Sequence, residues 1–314
     1  MTAEKSRTRR SASGALLAGQ VVAGFGRSYR IELEDATAGT PGTLIECSTR
    51  GKKSDIACGD RVSIRHSGDN SGVIETVLPR TTLLYRSDAH KQKLIAANVT
   101  QVVIVVAPVP SFYDDLINRC LAACEHAGIA PLIVLNKNDL PQFAAAWDAL
   151  AVYRHLGYRV EGICARQDIA PLGALLEDHT SVLVGQSGMG KSTVVNQLVP
   201  SALMRVAETS LALDSGKHTT TGARLLHINS RSHLIDSPGL QSFGLHHISA
   251  EDLAQTFIEF RPWLSHCRFR DCAHRSEPDC AISRACAEGK IAATRIASYR
   301  TLVDERVRAR ANRY

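Results

Sequence analysis

One stretch limits what this chain can fold into more than any other: SVLVGQSGMGKSTVVNQ, Ser181 to Gln197. A short apolar run, Ser181 to Val184, meets Gly185 and Gly188, then Gly190-Lys191-Ser192-Thr193, then apolar residues at helical spacing. That order predicts a strand, a phosphate-binding loop and a helix. Glycines let backbone amides turn toward a polyphosphate without side-chain obstruction. Lys191 supplies a positive charge, and the Ser192 hydroxyl is a ligand for magnesium. The loop by itself specifies a nucleoside triphosphate and leaves the base open.

Which modules surround the loop follows from length and charge. With 314 residues the chain is long for one domain, and two or three modules fit better. The longest apolar run, Val102 to Val109, is too short to cross a bilayer, and the polar start does not resemble a secretory signal. Nine cysteines, four of them in apolar stretches, argue against a disulfide framework, so a cytoplasmic protein without membrane contact is expected. Residues 261–314 hold 12 Lys and Arg against 6 Asp and Glu, out of 37 and 31 in the chain, so everything before them balances at 25 each. The whole basic surplus lies at the C-terminal end, which points to a polyanionic partner, nucleic acid first.

Four segments are expected. Residues 1–13 carry Lys5, Arg7, Arg9 and Arg10 and read as a disordered basic arm. Residues 14–86 contain VVAGF, YRIEL, GTLIECS, DRVSIR and GVIETVL between turn residues, as in a small oligonucleotide-binding (OB) type β-barrel. Arg50, Lys52 and Lys53 would be its phosphate contacts if RNA binds there. Residues 87–245 alternate strand and helix and predict an α/β sheet, mainly parallel, with a helix over Asp114–His126 and another over Gln142–Leu156. Residues 246–314 form a basic helical region opening with a capping sequence at Ser249 and a helix ending near Trp263.

Three further motifs carry chemistry. Asn136-Lys137-Asn138-Asp139 follows the apolar strand PLIVL, at the edge where open α/β sheets bind ligands. Asp139 is suited to accept from the ring N–H and exocyclic amine of guanine, with Asn136 and Lys137 bracing the loop, while Cys164 and Ala165 offer a backbone N–H to the guanine carbonyl. Downstream, SGKHTTT and then Asp236-Ser237-Pro238-Gly239 have the character of switch segments around magnesium and the terminal phosphate. Leu240 follows that glycine where many regulatory GTPases have a water-positioning glutamine, which leaves His218 as the local candidate for orienting water. Cys267, Cys272, His274 and Cys280 lie within fourteen residues, a donor set suited to a closed, structural zinc site. Arg268, Arg270, Arg275 and Arg284 crowd that site, and Arg295, Arg300, Arg306, Arg308 and Arg310 follow on the last helix.

The guanine tetrad precedes the phosphate loop, the reverse of the ordinary order in GTPases. Barrel, NKxD, GQSGxGKS, GKHTTT, DSPG and CxxxxCxHxxxxxC in this sequence resemble the circularly permuted ribosome small subunit-dependent GTPase A family. The resemblance implies hydrolysis of GTP to GDP late in maturation of the small ribosomal subunit, stimulation by that subunit and its ribosomal RNA, and release afterwards. It also implies that Asn136, Lys137, Asn138 and Asp139 read guanine. The phosphates fall to Gly185, Gln186, Ser187, Gly188, Met189, Gly190, Lys191, Ser192 and Thr193, with Asp236 and Gly239. Ser192, Asp236 and Thr220 (or Thr219) would hold magnesium, Lys191 and His218 would act in catalysis, and Cys267, Cys272, His274 and Cys280 would hold one zinc ion. A monomer is expected. Cys164 stands where serine is usual in the family, and Thr100 where it often has aspartate. Two rival readings stay open: an RNA-binding assembly module with structural nucleotide, and an ATP-using P-loop kinase.

Overall fold

The computed structural model describes residues 16–34, 42–50, 55–68, 70–87, 92–200, 223–237 and 244–311. The basic arm, Lys52, Lys53, His218, Thr219, Thr220 and Gly239 lie outside the described residues.

Alternation builds the first module. In β1 (Leu16–Phe25), β2 (Ser28–Leu33), β3 (Leu44–Thr49), β4 (Arg61–Gly68) and β5 (Ser71–Val77), alternate apolar residues point inward. Val21, Ile31, Ile45, Val62, Ile64 and Ile74 meet there in one core. β1 pairs with both β2 and β4, while β3 pairs with β5 in parallel. The ring is closed, which removes the open edges a five-stranded sheet would otherwise expose. Arg50, an expected phosphate contact, forms an ion pair with Glu75 at 2.7 Å.

A two-stranded hairpin, β6 (Leu83–Ser87) and β7 (Gln92–Ala97), follows the barrel. The sequence does not display it, because LLYRS and QKLIAA lack a clean apolar–polar alternation. The α/β sheet that comes next has strands β8 (Gln101–Val106), β9 (Ala130–Leu135), β10 (Arg159–Gly162), β11 (Thr180–Val184), β12 (Arg224–His227) and β13 (His233–Asp236). They run in the order β10-β9-β8-β11-β13-β12, and β12 pairs with β1, which joins the sheet to the barrel. All are parallel to their neighbours except β12, and β8 is buried at every residue, as a strand covered on both faces must be. β11 lies between β8 and β13 although about eighty residues of chain separate it from β8.

Helix α1 (Asp114–Ala127) buries Leu116, Ile117, Cys120, Leu121 and Cys124, the stripe its periodicity predicts. Gly128 ends it in the left-handed conformation, with its N–H on the Cys124 carbonyl. The single helix expected over Gln142–Leu156 is two, α2 (Phe143–Ala149) and α3 (Ala151–His155). At the junction the Leu150 N–H bonds three residues back to Trp147, a tight turn that sends Leu150 inward.

Beyond Ser249, whose hydroxyl caps Ala250–Gln255 by accepting from the Asp252 N–H at 2.9 Å, the helix stops at Gln255, short of the expected Trp263. Two 3-10 turns, Ile258–Phe260 and Leu264–His266, continue the path because Phe257 and Phe260 must both reach the core. Helices Ala281–Ala287 and Ala293–Ala311 complete this lobe. All nine cysteines are free thiols. Among the described residues no helix is long and apolar enough to cross a membrane.

Candidate active site and metal centre

Parallel strands place their carboxyl ends along one edge, so the segments after Leu135, Gly162 and Val184 lie side by side with Asp236 at the end of β13. Asn136 ties three of them together. It is almost fully buried, its backbone N–H donates to Val106 O at 2.8 Å, and its Nδ2 donates to the Met189 carbonyl of the phosphate loop at 3.0 Å. Its Oδ1 accepts from the Ala165 N–H at 3.0 Å. The Ala165 amide, offered by the sequence as a guanine contact, is thus bonded to the tetrad itself.

Close approach explains two glycines. A Cβ on Gly190, which has φ +95°, would stand 2.3 Å from Asn136 Nδ2, and one on Gly185 would stand 2.3 Å from the Val105 carbonyl oxygen. Any side chain there would part the phosphate loop from the strand end and the tetrad that hold it.

Lys137 adopts φ +65° and sends its ammonium to the carbonyls of Val109 (2.5 Å) and Gly188 (2.7 Å). The Cys164 thiol donates to Asp139 Oδ1 at 3.2 Å, so the odd cysteine orients the carboxylate suited to guanine. Asn138 is fixed through its backbone N–H on Ile163 O at 3.0 Å.

Lys191 Nζ rests on the carbonyls of Gly185 and Gln186 at 2.6 and 2.7 Å. Burial pulls its pKa below the ordinary lysine value, and the charge of Asp236 offsets this only in part. Asp236 shows the mirror effect: burial raises its pKa against the pull of Lys191 and Arg224. Two under-solvated opposite charges in one site favour ligands that bring both signs, a polyphosphate and a divalent cation. Ser192 and Thr193 stand in the first turn of the helix Lys191–Leu198, with Ser192 exposed and suited to the cation by its hydroxyl.

Sequence reasoning missed the segment between β8 and α1. Pro110 stands so close to Gly188 that a Cβ there would lie 3.1 Å from its ring, and the Tyr113 N–H donates to Gln186 Oε1 at 3.2 Å. The only sequence signal was a Pro-Ser turn.

Cys267, Cys272, His274 and Cys280 offer ligand atoms that all lie within 4.8 Å of one another. His274 Nδ1 is 3.5 Å from both the Cys267 and Cys280 sulfurs. A tetrahedron with arms of about 2.0 to 2.3 Å has edges of roughly 3.5 to 3.8 Å, which the two His274–sulfur distances match, so the donor set suits a four-coordinate ion. Outer bonds hold the cluster: Glu277 accepts from the N–H groups of Ala273, Arg275 and Ser276, and Tyr299 OH donates to Ala273 O.

The arginines expected to face a partner divide into two sets. Arg295 is buried against Glu259, Arg300 donates to His274 O and Ser283 Oγ, and Arg306 donates to Leu245 O. Arg268, Arg270, Arg275, Arg284 and Arg308 remain on the surface, Arg275 in an ion pair with Asp304.

A family model described as RsgA GTPase matches residues 77–246. The small ribosomal subunit biogenesis GTPase RsgA of Nitrosospira multiformis is 49% identical over 300 residues, covering 95% of this chain and 94% of that one. This chain belongs to the RsgA GTPase family. Two solved structures are similar to it along nearly their whole length. YjeQ from Thermotoga maritima is 28% identical with a TM-score of 0.71, covering 93% of this chain and 99% of that one. YloQ, described as a circularly permuted GTPase, is 26% identical with a TM-score of 0.68, covering 96% and 98%. The permuted motif order, the sheet and the barrel in this RsgA-family chain are one architecture: a circularly permuted GTPase domain behind a closed OB-type barrel, followed by a lobe with a Cys3His cluster.

Proposed function

We infer that this chain is a GTP hydrolase that acts in biogenesis of the small ribosomal subunit, binding the subunit, hydrolysing GTP to GDP on it and leaving afterwards. One observation carries the nucleotide assignment: Asn136 bonds both the phosphate loop and the turn after β10, so base-reading and phosphate-holding segments form one bonded unit. In this reading Asp139 accepts from guanine, Gly185 to Thr193 hold the phosphates, and Lys191 counters charge on the transferred group. Magnesium, when bound at Ser192, Asp236 and Thr220, supplies positive charge at the terminal phosphates. His218 orients the attacking water and the Gly239 amide faces the terminal phosphate. Without a glutamine after Gly239, unstimulated turnover is slow, on the order of 10⁻⁴ to 10⁻² per second. A structural zinc ion in the Cys3His cluster holds the basic lobe, which faces ribosomal RNA. The four segments act as an arm (1–13), a barrel (14–86), an enzyme (87–245) and a docking lobe (246–314) in a cytoplasmic monomer.

The test is a competition of GTP and ATP for the protein, followed by turnover with and without purified small subunits. GTP is expected to displace ATP by about 10⁴-fold or more, Asp139→Ala to erase that preference, and subunits to raise turnover. Equal binding of ATP overturns the guanine assignment, and turnover indifferent to subunits overturns the stimulated-enzyme reading.

A further inference from the structure

We propose that Phe269 is a stacking platform for an unpaired RNA base, flanked by Arg268 and Arg270 as phosphate contacts. The inference rests on the reading of the basic lobe as an RNA-facing surface and adds how that surface recognises its partner.

A single exposed apolar side chain carries no message. Three neighbouring observations give this one a meaning. First, Phe269 is 41% exposed among the four residues between Cys267 and Cys272, two members of the Cys3His cluster, and its carbonyl accepts from the Cys272 N–H. A loop pinned at both ends presents its ring with little conformational freedom left to lose on binding. Second, the Arg268 guanidinium lies 5.4 Å from the Phe269 ring centre and pairs with Asp279 at 3.0 Å, both ends of the pair being exposed. An exposed ion pair is worth little, so Arg268 is free to exchange Asp279 for a phosphate while staying by the ring. Third, Arg268 and Arg270 belong to the surface set of arginines, whereas several others in the lobe are committed to internal bonds.

The other exposed aromatic ring among the large apolar side chains of the described residues gives the contrast. Tyr113 is 66% exposed, yet Asp114 and Asp115 follow it at the start of α1 and no arginine adjoins it in the chain, whereas Phe269 has one on each side. An aromatic ring between cations is the arrangement that stacks unpaired bases, and it is blind to duplex, where base faces are already covered.

The test measures binding of full-length protein to a fluorescent single-stranded RNA, to a duplex of the same length and to purified small subunits, across a salt series. Phe269→Ala is expected to weaken single-strand binding about 5- to 150-fold and subunit binding in the same direction. It should leave duplex binding, the salt slope and basal GTP turnover unchanged. Phe269→Tyr should restore single-strand affinity, and Arg270→Ala should reduce the salt slope by about 1. Wild-type single-strand affinity in Phe269→Ala, with Arg270→Ala still weakening binding, overturns the stack and leaves the RNA-facing surface standing. Loss of subunit binding alone, with both RNAs bound normally, assigns the ring to a protein contact and overturns the inference. If binding to every RNA is insensitive to salt and to all three substitutions, the RNA-facing reading falls, and the stack with it.

Discussion

The GTPase domain is joined to its two neighbours by different kinds of bond. Toward the barrel the polar bonds of the joint run largely to backbone, beside the packing of Val22 and Cys58 in a core shared with the GTPase domain. Ala23 of β1 pairs with Arg224 of β12, the Ala97 N–H donates to Cys58 O at 2.9 Å, and Asn98 Nδ2 donates to Gly59 O at 2.9 Å. A solvent-exposed contact, His227 Nε2 to Glu32 Oε2 at 2.6 Å, accompanies them. Toward the C-terminal lobe the joint is made of buried side chains. Arg295, 2% exposed, is held by Glu259 of its own lobe at 2.6 Å, lies 4.4 Å from the Phe257 ring centre and crosses the joint by donating to Asn118 Oδ1 of α1. Asn118 in turn donates to Ser298 Oγ at 2.7 Å and accepts from Tyr153 OH at 3.2 Å. A backbone joint tolerates changes of side chain and fails only where a Cβ cannot fit. A buried ion pair fails as soon as one charge is removed.

The largest effect therefore belongs to the second joint. Arg295→Met leaves the Glu259 carboxylate buried without its partner and should cost the lobe about 3 to 5 kcal/mol. Hydrogen exchange in the Ala293–Ala311 helix reads it directly. Pairing that change with Glu259→Leu removes the stranded charge and should return most of the loss. A single variant as protected as the wild type would mean that the joint rests on apolar packing, and the contrast between the two joints would disappear.

That pair also shows where sequence reading stops. Strand alternation in the barrel, the stripe on α1 and the phosphate loop depend on local spacing, which a sequence displays directly. Arg295 sits in an arginine-rich helix that reads as a solvated or partner-facing surface. Its burial depends on Glu259, thirty-six residues earlier, and on Asn118, far earlier still, and spacing says nothing about either. The same limit hid the bond from the Tyr113 N–H to Gln186 and the bond from the Cys164 thiol to Asp139. The Cys3His cluster was legible for the opposite reason, because its ligands crowd into one short segment.

The barrel joint is probed at Gly59, whose φ is +90° and whose missing Cβ would stand 2.3 Å from the Ala97 carbonyl oxygen. Gly59→Ala should cost about 1 to 3 kcal/mol through backbone strain, and the hairpin must shift to admit the methyl group. The expected signature is earlier proteolytic separation of the barrel, with GTP affinity unchanged because the nucleotide edge lies elsewhere on the sheet. An equal loss of GTP affinity would show that this joint reaches the nucleotide site.

The smallest effect is a pH dependence at a point where the hairpin and the C-terminal lobe both meet α1. The His247 ring lies 4.1 Å from the Tyr85 ring of β6 and 5.8 Å from that of His126 at the end of α1. Burial first, then the neighbours His126, Arg306 and His246, lower its pKa from 6.5 to about 4. In the unfolded chain the same imidazole takes up its proton near pH 6.5. Between about pH 6.5 and 4 the unfolded state therefore binds more protons, so stability falls as pH falls through that window and is complete above it. His247 is only half-buried and solvent screening trims the effect, which places it below the other two. Replacing it with Phe keeps a ring beside Tyr85 and removes the titrating group. The denaturation midpoint of His247→Phe should drop less than that of the wild type between pH 7.5 and 5, and equal drops would place the acid sensitivity of this junction in other groups.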